Sequence, residues 1–93
     1  RAVAGDLELA GDVDDLFLDA ERGRLYAACG AGVLEVFERD PAKHGVAAWR
    51  SRERIPTSDG ARTCLFVPEE DRLYLARPKR GERAASIGVY APR

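Results

Sequence analysis

One histidine, His44, and two cysteines, Cys29 and Cys64, are the chain's whole supply of the side chains that most often ligate soft metals or carry nucleophilic chemistry. The cysteines show neither the density of a disulfide framework nor the paired spacing of a zinc site, and they leave the redox compartment open. His44 has no second histidine and no Gly-x-Ser-x-Gly elbow beside it, so a hydrolase triad has no support within the chain. Haem and zinc signatures are also missing, and no metal or cofactor is expected. No apolar run approaches the length of a membrane span. The opening Arg1-Ala2-Val3-Ala4-Gly5-Asp6 lacks the apolar centre of a signal peptide, and the expectation is that any export signal lies upstream or has been removed. Charge of one sign is lacking as well: 15 Lys plus Arg face 16 Asp plus Glu. That balance excludes a global field drawing the chain to nucleic acid or to an anionic membrane.

What remains is an ordinary globular composition, 45% hydrophobic and 33% charged, in a chain long enough for one domain at most. Short runs rich in Leu, Val, Phe and Tyr recur between clusters of Gly, Pro, Asp and charge, which is the pattern of strands and turns. Eight strands are predicted, near residues 2–9, 15–19, 24–29, 33–39, 47–55, 63–67, 72–77 and 85–91. Glu21-Arg22-Gly23, Gly30-Ala31-Gly32 and Pro68-Glu69-Glu70-Asp71 supply the turn chemistry, so successive strands should pair as antiparallel meanders.

The chain also repeats itself. Leu16-Phe17 recurs as Leu65-Phe66, Arg24-Leu25-Tyr26 as Arg72-Leu73-Tyr74, Ala28 as Ala76, and Val36-Phe37 as Val89-Tyr90. The offset of about 48 residues is that of a propeller blade. Within each copy the runs Leu25 to Cys29, Cys64 to Val67 and Leu73 to Ala76 are apolar at nearly every position, as in strands buried on both faces. Trp49 to Ile55 and Asp6 to Leu9 instead mix charge with apolar residues, as in solvated outer strands. Three dry strands followed by a wet one predict an all-β fold, a β-propeller of two four-stranded antiparallel blades. Residues 1–10 read as the outer strand of a preceding blade, 11–56 as a blade, and 57–93 as a blade lacking its outer strand.

The stretches Gly11-Asp12-Val13-Asp14-Asp15-Leu16-Phe17, Arg24 to Gly32, Gly60-Ala61-Arg62-Thr63 and Val67 to Tyr74 together resemble the YVTN-type β-propeller repeat proteins of bacteria. The chain is similar to the last two blades of such a propeller. The resemblance implies an exported or periplasmic protein, and a channel mouth that in related propellers takes ligands, nucleic acid or partner proteins. A ring of about four to eight blades needs more than two, so the expected partners are other copies of the chain or the remaining blades of a longer propeller. Head-to-tail association of three copies would give six blades and of four copies eight.

Candidate chemistry concentrates where the two innermost strands begin. Asp12, Asp14 and Asp15 fail the EF-hand pattern, because Leu16 stands where a third ligand should and no Gly follows. They read instead as carboxylates capping the innermost strand, opposite Arg62 and Thr63 at the start of the second copy. Asp14, Asp15, Arg62 and Thr63 are therefore the candidate ligand-binding residues, and a brace between blades is the simpler use of a carboxylate–guanidinium pair there. Arg50, Arg52 and Arg54 alternate along one strand and are expected on one face, protecting an edge. Cys29 and Cys64 read as small buried hydrophobes, His44 as a solvated loop residue, and Trp49 as a cover for the core. The function so implied is a non-catalytic module that binds or scaffolds an unknown protein or small molecule. The alternative is part of a redox enzyme whose haem or quinone ligands come from elsewhere.

Overall fold

The computed structural model describes residues 7–92, and their secondary structure is strand and turn with no α-helix. β1 (Val13–Asp19), β2 (Arg24–Cys29), β3 (Val33–Arg39) and β4 (Trp49–Pro56) form one antiparallel sheet in that order. β5 (Thr63–Val67), β6 (Arg72–Arg77) and β7 (Ser86–Tyr90) form a second. Each sheet is a meander, and a single 3-10 turn at Gly45–Ala48 precedes β4. The strand predicted near residues 2–9 is not seen over residues 7–9, and its remainder lies outside the described residues.

Turn chemistry sets the repeat. Gly23 takes φ of 65° between β1 and β2, a left-handed position that glycine adopts without steric cost. Asp71 takes φ of 54° at the same place between β5 and β6, and aspartate is among the few other residues that tolerate it. Cross-strand partners then fix which residues are equivalent. Tyr26 opposes Phe17 and Val36, while Tyr74 opposes Leu65 and Val89. Leu25 opposes Leu18 and Phe37, while Leu73 opposes Phe66 and Tyr90. Leu65 therefore stands in the place of Phe17, and Phe66 in the place of Leu18. The Leu-Phe match read from the sequence is one residue out of register, which in a strand is the difference between opposite faces.

The sheets pack face to face. Phe17, Tyr26, Ala28, Leu34, Val36 and Ile55 of the first meet Cys64, Phe66, Leu73, Leu75 and Tyr90 of the second, with Ala61 between them. The Tyr26 and Phe66 rings tilt against each other with centroids 5.3 Å apart. Each buried side chain of this size contributes about 1.5–3 kcal/mol. β1 and β5 approach more closely than any other pair of strands from the two sheets.

Burial departs from the expected dry-to-wet gradient. β2 and β3 are buried on both faces, but β1, β5, β6 and β7 bury only one. For β1 the reason is that Leu16 and Leu18 are uncovered, each 57% exposed, and for β5, β6 and β7 that the second sheet has a neighbour on one side alone among the described residues. Leu65, Ile87 and Val89 on its far face are 54%, 65% and 56% exposed. The second sheet also has three strands among the described residues rather than four.

Candidate functional site

The starts of β1 and β5 carry the predicted site, and their backbone explains what gathers there. Asp12 takes φ of 61° just before β1, and its carbonyl accepts the Gly30 N–H at 2.7 Å while Gly60 N–H donates to the Gly30 carbonyl at 2.7 Å. Gly30 is thus pinned between the entrances to both inner strands. The Asp12 carboxylate lies across it and accepts from Arg62 Nη1 at 2.6 Å. A Cβ on Gly30 would fall 2.2 Å from Asp12 Oδ2 and 3.1 Å from Arg62 Nη1, so this pair exists because residue 30 has no side chain.

Of the four predicted residues, Arg62 is therefore engaged with Asp12, one of the three carboxylates that the sequence set opposite it without choosing among them. Asp15 is used differently: its Oδ2 accepts the backbone N–H of Cys64 at 2.8 Å, tying β1 to β5. Asp14 forms a bulge in β1, between Val13 opposite Cys29 and Asp15 opposite Ala28, and it is exposed. Thr63 is also exposed, at the first position of β5. The described residues contain no cluster of three or more His, Cys, Asp or Glu arranged to hold a metal ion.

A second clasp closes the opposite ends of β1 and β5. Arg22 Nη1 donates at 3.1 Å both to Asp19 Oδ2 and to Asp71 Oδ1. Asp19 is buried, and the Tyr26 hydroxyl donates to it at 3.2 Å. The hydrogen bond from Arg22 holds the Asp71 carboxyl below the usual carboxylate range.

Sequence reasoning missed a cleft of about 240 Å³ between the sheets on the side away from β1 and β5. It is lined by Tyr26, Val36, Ile55, Leu73 and Tyr90, with the buried Arg24 among them and Arg52 and Glu53 towards solvent. It lies beside β7 and under β4. The reading of residues 57–93 as a blade without its outer strand was the signal that could have found it.

The three arginines of β4 do not share a face. A bulge at Arg52, where Val36 opposes Glu53 and Phe37 opposes Ser51, turns the strand over. Arg54 Nε donates to Glu35 Oε2 at 2.9 Å on the far face, whereas Arg50 and Arg52 stand 3.7 and 3.6 Å from Glu38 on the near one. Glu35 is fully buried and also accepts from the Ser51 hydroxyl at 3.2 Å and the Ala10 N–H at 3.1 Å.

Both cysteines are free and buried. Burial and then the Asp15 charge push the Cys64 thiol up to about 12, and burial likewise raises Cys29. Neither is poised as a nucleophile at neutral pH. His44 is exposed in its loop, and Trp49 is half-buried at the start of β4. No protein-family model, no curated protein and no solved structure matches the chain.

Proposed function

We propose that the chain is a non-catalytic binding and scaffold module of β-propeller type, its two sheets being successive blades and the second lacking its outer strand. The observation that carries this reading is that unlike faces meet. Tyr26 lies in the interface while its equivalent Tyr74 lies on the far side of its own sheet. Two sheets related by a twofold axis would instead join equivalent faces. A repeat that meets by unlike faces, closest at its first strands, is the arrangement of blades around an axis. The resemblance to YVTN-type propeller repeats supports the same reading, and with it an exported or periplasmic setting.

In this reading the starts of β1 and β5 are the channel mouth. Asp14 and Thr63 face the ligand or partner, and Asp15 and Arg62 hold the two inner strands in place beneath them. A random peptide library displayed on phage and panned against the chain tests this. Selected peptides are expected to bind at least about tenfold more weakly to Asp14→Asn and Thr63→Ala variants. They should bind Arg50→Ala, altered on the outer edge, as they bind the parent chain. Peptides indifferent to Asp14 and Thr63 would overturn the assignment of the mouth.

A further inference from the structure

Among the described residues, five of the six exposed large apolar side chains gather on two faces, Val13 being the sixth. Leu65, Ile87 and Val89 lie on the far face of the second sheet, and Leu16 and Leu18, each 57% exposed, lie on the far face of the first. By strand register, Leu65, Ile87 and Val89 stand where Phe17, Leu34 and Val36 stand in the other sheet. Leu16 and Leu18 stand where Cys64 and Phe66 stand. Phe17, Leu34 and Val36 already meet Cys64 and Phe66 inside the chain. The two exposed sets are thus the two halves of a contact that the molecule has already made once.

We infer that the far face of the second sheet docks the β1 side of the first sheet of a second copy of this chain. The inference rests on reading the two sheets as successive units of one repeat. The second copy is the occupant because this chain itself carries both halves of the contact. The donor half is open along β1, while Ala27 and Phe37, the equivalents of Leu75 and Tyr90, are already buried in the first sheet. Residues 7–10 reach the far face of the first sheet at Glu35, through the Ala10 N–H, which leaves Leu16 and Leu18 uncovered on β1. β1 is also the strand of closest approach in the internal interface. A contact between unlike faces leaves one of each kind free at the ends of a pair, so it propagates until a ring closes.

Light scattering and native mass spectrometry of the 93-residue chain and of two variants test the inference. Leu18→Asp blocks the donor face and Val89→Asp the acceptor face, both at exposed positions, with circular dichroism reporting the fold of each. The parent chain is expected to assemble beyond the dimer as its concentration rises. Each variant should associate roughly a hundredfold more weakly, because an unpaired carboxylate would enter an apolar contact. An equimolar mixture of the two should form a heterodimer that stops at two chains, since only one intact donor and one intact acceptor remain. A parent chain that stays at 10.2 kDa would overturn the inference. So would a Leu18→Asp variant that assembles like the parent, which would mean that like faces pair. A monomeric chain whose panned peptides still respond to Asp14 would sink this inference and leave the binding reading standing.

Discussion

Tyr26 and Tyr74 occupy the same position in their sheets and bury in opposite directions relative to the chain's core: Tyr26, 5% exposed, stacks on Phe66, and Tyr74 faces away from the interface. The two sheets are therefore related by a step that can be repeated.

That step makes neighbouring residues of β5 unequal. Phe66→Ala should destabilise the folded chain by about 3–5 kcal/mol, because it removes a ring from the packed interface. Leu65→Ala should cost less than about 0.5 kcal/mol at dilutions where the chain is monomeric. Denaturant unfolding of the two variants measures both. Equal losses would mean that β5 is buried on both faces.

The bulge in β4 makes a second distinction. Arg54→Ala should cost about 1.5–3 kcal/mol, since it strips a charged hydrogen bond from a fully buried carboxylate. Arg50→Ala, whose side chain is 76% exposed, should stay within about 0.5 kcal/mol. Salt should shrink the smaller effect more than the larger. Thermal melts of both variants at low and high salt check this, and similar losses would mean one shared arginine face.

Much of the fold was legible in the sequence. Alternation and turn residues located β2 through β7 closely, and the repeat was visible in Arg-Leu-Tyr. What stayed hidden has physical causes. Cys64-Leu65-Phe66-Val67 is apolar throughout, and an apolar run cannot say whether one face is buried or two. Bulges at Asp14 and Arg52 leave no mark in composition, yet each changes which side chains share a face. Arg62 found Asp12 because Asp12 takes a left-handed turn over Gly30, a backbone event that spacing along the chain does not report.

Gly30 permits a direct test of that pairing. A double-mutant cycle of Asp12→Asn and Arg62→Gln should show a coupling of about 0.2–1 kcal/mol, the range for an exposed ion pair. In a Gly30→Ala background the coupling should vanish, because the new methyl group would occupy the position of the Asp12 carboxylate. Coupling that survives would show that the pair has another seat.

The buried Cys64 thiol should lower stability on the alkaline side. Cys64 ionises near its ordinary value of 9.0 when unfolded and only near 12 when folded. Between these values the folded state holds a proton that the unfolded state has lost, so stability present below pH 9 declines as pH rises. Cys64→Ala should flatten that decline in unfolding curves measured from neutral to alkaline pH. Rapid alkylation of the native protein near neutrality would contradict the burial.

Glu35 and Gly88 occupy equivalent places, one opposite Ala27 and the other opposite Leu75. Glu35 is tolerated at full burial because β4 brings it Arg54 and Ser51. The second sheet has no such strand among the described residues, and there the position carries no side chain, with the Arg77 guanidinium lying over the bare backbone. The buried carboxylate is thus found in the sheet that has a strand to satisfy it, and glycine stands in its place in the sheet that has none among the described residues. A carboxylate grafted at residue 88 would meet the Arg77 guanidinium but not the second donor that β4 supplies to Glu35 through the Ser51 hydroxyl.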